Sequence, residues 1–231
     1  HQSPLAGTIR GDRNGTEAIG FLVRFVDGFS SPPHIHNVSY RALVIKGLIH
    51  NDDPDAEKMW MPAGSYWTQP AGEAHITAAQ GEENIAYVEI ESGPYLVKPT
   101  EEAYDNGERP INVDVSNMVW LDASETTLID NSRASNMTEI GVLWKEEELS
   151  GFLIKIPENL EVDISTEGTI FDAVVIAGRP KYDIDEEAEL DPGSSFSSDG
   201  HVIHRLYSPP DGESLLYVRT DSDFKISLAE R

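Results

Sequence analysis

The chain has 231 residues, 39% hydrophobic and 25% charged, a globular composition with length for one large or two small domains. Its formal net charge is −24, a field that repels duplexes and polyanions and so excludes nucleic acid as a partner. There is no cysteine, hence no disulfide, thiol nucleophile or thiolate metal site, and no apolar run of about 18 residues to cross a membrane.

The sequence opens on His1 rather than Met and shows no targeting segment. A soluble protein of the cytoplasm or periplasm is expected, with the compartment left open. The first element is a strand over residues 21–26, rich in β-branched and aromatic residues. Pro-Pro-His-Ile-His (32–36) follows. Side chains alternate along a strand, so His34 and His36 share a face. A second strand runs over 40–45, and Asn51-Asp-Asp-Pro and Met61-Pro-Ala-Gly mark turns. His50, three residues past Gly47, offers a fourth nitrogen or a base if it faces the same way, and lies in solvent otherwise. Residues 64–75 read Gly-x5-Pro-x-Gly-x2-His and end on His75, which can complete a three-nitrogen site. Imidazole suits zinc, iron, copper or nickel. Within this stretch alternation sets Trp67 and Gln69 on one face and Tyr66 and Thr68 on the other. Gln69 is a candidate substrate hydrogen-bonding group.

A third strand covers 85–90, and the polar, punctuated residues 101–115 read as a linker between a domain at 1–100 and another at 116–231. No long stretch carries a clean helical period; the best helix candidate is Ala123 to Asp130. The chain then repeats itself. Gly20-Phe-Leu-Val-Arg-Phe matches Gly151-Phe-Leu-Ile-Lys-Ile, and Gly47 falls on Gly178, both at an offset of 131. Pro-Ala-Gly-Ser-Tyr-Trp (62–67) matches Asp-Pro-Gly-Ser-Ser-Phe (191–196), and His75 falls on His204. A period this long means duplication of a domain. The class is all-β: two barrels or jelly rolls with few short helices.

The pair His-x-His-x3-Tyr-x6-Gly (34–47) and Gly-x5-Pro-x-Gly-x2-His (64–75) resembles the two cupin motifs. With the repeat, the chain is similar to a two-domain bicupin. It resembles in particular an uncharacterised bacterial bicupin family carrying Ser-Pro-Pro-His-Ile-His-Asn (31–37), with a likeness to the cupin-type domain of zinc-binding anti-sigma factors. The resemblance implies tandem double-stranded β-helix barrels, a homodimer, and metal-ligand roles for His34, His36 and His75. Two positions depart from the pattern: Tyr40 stands where the motif has glutamate, and Ala79 where it has asparagine.

Without the carboxylate, a divalent ion keeps its full charge and favours an anionic or chelating small molecule. Iron and zinc are the leading metals, with nickel, manganese and copper as alternatives. Three-histidine cupins include ferrous dioxygenases, so the resemblance implies oxygenase or lyase chemistry, against a non-catalytic sensor or a structural bicupin. Tyr40, Gln69 and His50 are the candidate catalytic residues. Tyr40 can be a phenolate ligand, a hydroxyl that orients substrate, or a wall residue like Phe171 in the repeat. A free phenol titrates near 10. In the second half His34 maps to Ser165, His36 to Glu167 and Tyr40 to Phe171, leaving His204 and a degenerate copy without a full metal site.

Overall fold

A computed structural model of the protein describes residues 4–131, 137–183 and 188–229. The chain divides into two compact units, residues 1–117 and 118–231. The described residues form strands and two 3-10 turns, Thr100–Glu102 and Val115–Asn117, with no α-helix among them.

The strands of the first unit are β1 (Leu5–Arg10), β2 (Ile19–Phe25), β3 (Ile35–His36), β4 (Tyr40–Asp52), β5 (Tyr66–Gln69), β6 (Ile76–Ile90), β7 (Val97–Lys98) and β8 (Ile111–Val113). Six of them form an antiparallel sheet in the order β1-β2-β6-β4-β5-β8, and β3 pairs with β7. Residues 101–115, expected as a linker, belong to this unit. Strand β8 hydrogen-bonds to β5, and Tyr104 N–H donates to the Gly72 carbonyl at 3.0 Å. Polar, turn-rich composition does not distinguish a linker from an edge strand with its approach loop.

Alternation along β2 turns Ile19, Phe21 and Phe25 into a core shared with Tyr40, Ala42 and Val44 of β4 and Trp67 of β5. Strand β4 changes phase midway. Its pairing with β6 slips between Val44 and Lys46 and again between Lys46 and Leu48. Before the break Tyr40, Ala42 and Val44 face the core; after it Ile49 does. Gly47 sits in the break at φ +77°, a left-handed conformation that glycine adopts without steric cost.

The second unit comprises β9 (Glu139–Lys145), β10 (Ser150–Ile156), β11 (Glu161–Thr166), β12 (Phe171–Ala177), β13 (Lys181–Asp183), β14 (Ala188–Glu189), β15 (Ser195–Ser198), β16 (Val202–Tyr207), β17 (Ser214–Thr220) and β18 (Phe224–Leu228). They form two five-stranded sheets, β15-β12-β17-β10-β9 and β14-β13-β16-β11-β18. Their inner faces meet in a core that includes Ile154, Ile164, Phe171, Leu206 and Ile226.

The helix expected at Ala123 to Asp130 is absent. The Asp122 carboxylate accepts from the Ser124 N–H at 2.7 Å and from its hydroxyl at 2.6 Å, which favours a turn over a helix. Ile129 then bridges to Ile226 of β18 and is buried. Tertiary burial of one isoleucine and a local aspartate turn outweigh a weak helical period.

Candidate metal centre and its cavity

The backbone brings the three histidines together in two steps. His34 and His75 exchange both backbone hydrogen bonds, at 3.1 and 3.0 Å, so they sit directly opposite on antiparallel chains. His36 lies two residues on, in β3, which is held by β7 and by the Gly72 N–H donating to the His36 carbonyl at 2.8 Å. One nitrogen from each ring then lies within 4.8 Å of the others.

The other ring nitrogens fix the tautomers. Nδ1 of His34 is 2.9 Å from the Pro32 carbonyl, Nδ1 of His36 is 3.2 Å from that of Leu96, and Nδ1 of His75 is 3.2 Å from that of Glu73. A carbonyl oxygen only accepts, so each Nδ1 carries the proton and each Nε2 keeps a lone pair. Those lone pairs converge: Nε2 of His34 and of His36 are 3.2 Å apart. Two lone pairs at that separation repel unless a cation or a donor lies between them. Burial, then the charges of the neighbouring histidines, push His36 down to about 2, and burial pushes His75 down to about 3. His34 is also lowered, chiefly by burial. The cluster is therefore neutral at ordinary pH. Three neutral imidazoles with backbone-anchored Nδ1–H groups are a donor set that fits a divalent transition ion.

Tyr40 stands beside this cluster. Its O–H donates to the Asn51 Oδ1 at 3.0 Å and lies 3.5 Å from Nε2 of His75. Burial pushes its pKa up to about 12, opposed by the nearby Trp67 indole, Thr77 and Asn51. The Trp67 indole nitrogen is buried without a hydrogen bond of normal geometry, so its effect on Tyr40 is that of a nearby dipole. Asn51 also accepts from the Thr77 hydroxyl at 2.7 Å and donates to the Gln69 Oε1 at 2.9 Å. The Gln69 amide donates to the Glu73 carbonyl at 3.3 Å. Gln69 is thus on the Trp67 side of β5, as alternation requires, with both ends engaged in holding Asn51 and Tyr40.

His50 faces the opposite way. It is fully buried, neither in solvent nor in the cluster, and its Nδ1 accepts from the Met59 N–H at 3.2 Å. The phase change in β4 is the reason. Ten residues from Tyr40, His50 would share its face on an unbroken strand; the break gives that face to Asn51 instead. Tyr95 was missed by sequence reasoning as well. Its ring stacks on His36 at 4.3 Å between centroids, and its hydroxyl lies 3.0 Å from Nε2 of His36. With Nδ1 of His36 donating elsewhere, the Tyr95 O–H is the donor to Nε2. Burial holds the phenol well above its usual range. No local motif marks this residue, which the fold delivers from 59 positions away.

Beside the cluster opens a cavity of about 920 Å3, lined among others by His34, His36, Tyr40, Phe21, Trp67 and Tyr95.

The second unit brings no such group together among the described residues. Glu167 and His201 approach to 3.8 Å but are exposed, whereas His204 is buried. His204 is a hydrogen-bond hub: Nδ1 is 2.6 Å from the Tyr182 hydroxyl and Nε2 is 2.8 Å from the Ser198 hydroxyl, while the ring stacks on Phe171 at 4.9 Å. Burial pushes its pKa down to about 4 from the ordinary 6.5. The unfolded chain therefore takes up this proton first as pH falls. The stability His204 contributes is complete above about pH 6.5, declines between 6.5 and 4, and levels off below, a loss of at most about 3 kcal/mol. Urea unfolding of wild type and His204→Gln at pH 7.5 and 4.5 should show a steeper loss in the wild type. Parallel losses would mean that His204 is not held neutral.

Residues 1–227 match the family described as Domain of unknown function (DUF4437). The chain belongs to this family. Among solved structures it is similar to a candidate dioxygenase from Nostoc punctiforme, at 17% identity and TM-score 0.67, covering 95% of this chain and 80% of that one. It is also similar to AerE from Microcystis aeruginosa, at 13% identity and TM-score 0.57, covering 94% and 97%. Salicylate 1,2-dioxygenase from Pseudoaminobacter salicylatoxidans matches at 10% identity and TM-score 0.60, covering 98% and 77%. No curated protein matches the chain. At these identities the likenesses show the fold alone, and this DUF4437 chain carries a three-histidine cluster within it.

Proposed function

We propose that this DUF4437 protein is a bicupin whose first unit binds a divalent transition metal, iron or zinc foremost, through His34, His36 and His75. In this reading it is an oxygenase or lyase acting on a small anionic or chelating molecule. The observation that carries the proposal is the direction of the ring nitrogens: three donate to backbone carbonyls and three converge as lone pairs. A divalent ion held there would supply Lewis acidity and, if iron, redox chemistry with O2.

The chain's own residues have separable tasks. Tyr40 keeps its proton on Asn51 and presents its hydroxyl oxygen as an acceptor at the edge of the cluster. Asn51, Thr77 and Gln69 hold that phenol in one orientation. Phe21, Trp67 and Tyr95 give the cavity beside the cluster aromatic walls. Of the alternatives, a non-catalytic metal- or ligand-binding sensor or a structural bicupin, the metal-only sensor and the structural protein require no space beside the histidines. A cavity of about 920 Å3 next to them favours the enzyme, since it falls in the range of small-molecule sites.

Elemental mass spectrometry of anaerobically purified protein, before and after chelation and add-back, tests the proposal. Close to one equivalent of iron directs the search to O2-consuming substrates. One equivalent of zinc directs it to lyase, hydrolytic or sensor roles. No uptake of iron, zinc, manganese, nickel or copper sinks the proposal.

A further inference from the structure

We infer that the cavity beside the histidines selects an aromatic carboxylate, with Arg13 at its rim taking the carboxylate. The inference rests on the metal-site reading only in having the opposite end of the ligand reach the histidines.

The first argument is charge. The chain carries 41 acidic residues among 231, so a lining drawn from it at large would include several. None of the described residues lining this cavity is acidic, while the cations Arg13 and Lys98 both contribute. On a protein of net charge −24 this is a local reversal of sign, and such a reversal focuses anions into a cleft. The two strong cations differ. Lys98 is engaged by Glu102 at 2.7 Å. Arg13 has no acidic partner among the described residues; its guanidinium lies 6.0 Å from the centre of the Phe21 ring. An uncommitted guanidinium at an apolar opening presents paired donors that match a carboxylate in plane and spacing.

The second argument is shape. From Arg13 the wall is a continuous run of rings. Phe21 lies under the guanidinium, Tyr95 is 5.6 Å from Phe21, and His36 is 4.3 Å from Tyr95. Phe25, Phe29 and Trp67 complete the apolar wall. Offset-stacked and edge-to-face contacts of this kind favour a flat π-system over an aliphatic chain. A ligand with a carboxylate on a ring matches the order of groups along this run, the guanidinium first and the rings behind it.

The test is titration calorimetry on the full chain, zinc-loaded and metal-free. The probes are benzoate, phenylacetate and 3-phenylpropionate, with benzamide as the neutral counterpart and acetate as the ringless one. We expect at least one aryl acid to bind, with benzamide and acetate at least tenfold weaker. Arg13→Ala should weaken that acid about tenfold, the low end for a charge-assisted hydrogen bond at an exposed rim, and leave benzamide unchanged. Arg13→Lys should recover part of the loss. Arg13 lies in the exposed loop between β1 and β2, so folding does not depend on it. Failure of all three acids, equal binding of acetate, or indifference to Arg13→Ala overturns the inference. If those results come with stoichiometric zinc, the metal-site reading stands alone. If zinc does not load but Arg13-dependent binding of an aryl acid persists in the metal-free protein, the metal-site reading fails and the carboxylate site stands.

Discussion

His36→Ala is expected to lower zinc affinity more than about 100-fold, beyond the 10–100-fold cost of disturbing groups that only orient the ligands. His36 is 3% exposed and shares its Nε2 environment with His34 at 3.2 Å and with the Tyr95 hydroxyl at 3.0 Å. Without it two nitrogens remain, too few for a zinc site, where at least three protein ligands are usual. Asn51→Ala supplies the comparison. It removes the acceptor for Tyr40 and Thr77 but no converging nitrogen, so its loss should fall within that 10–100-fold range. Competition against a chromophoric zinc chelator measures both, with circular dichroism to confirm that each variant is folded. Equal zinc affinity in wild type and His36→Ala would remove the histidine cluster from consideration as the metal centre.

Gly47→Ala and Gly178→Ala should each destabilise the protein by about 2–4 kcal/mol, from a left-handed backbone and a steric clash acting together. Gly47 and Gly178 have φ of +77° and +78°. A methyl group on Gly47 would come within 2.1 Å of the Asn84 side-chain oxygen and 2.5 Å of the Glu83 carbonyl; on Gly178 it would come within 2.5 Å of the Glu213 carbonyl. Backbone oxygens cannot rotate aside as a flexible side chain can. Urea denaturation of the two variants measures the effect, and a loss under about 0.5 kcal/mol, typical of surface changes, would contradict it.

These two glycines explain why the duplication is legible. Repeated positions such as Gly47 and Gly178 carry a backbone requirement that tolerates few other residues. The positions of His34 and His36 in the repeat carry no such requirement and read Ser165 and Glu167. The strand class and the grouping of the three histidines followed from period two and motif spacing. The surroundings did not. His50 lies close to the motif in sequence, but the break that turns it away and brings Asn51 in is visible only in the pairing of β4 with β6. Tyr95 arrives through the fold rather than through local spacing, and the 101–115 segment has the composition of a linker but contains β8, Ile111–Val113, paired to β5. Ala123 to Asp130 has a weak helical period that the Asp122 turn interrupts.

The phase change in β4 also makes chain length at that point a chemical variable. Asn51 reaches Tyr40 only because the strand slips between Val44 and Leu48. A chain lengthened by one residue there, with the break in the strand kept, would present His50 where the amide now stands, beside three imidazoles. The site would gain a fourth nitrogen donor and Tyr40 would lose its carbonyl acceptor, although no residue in the pocket had been substituted. Diversification of such a centre can therefore proceed through single-residue indels at one bend of the backbone, a route that a comparison of aligned ligand positions would overlook.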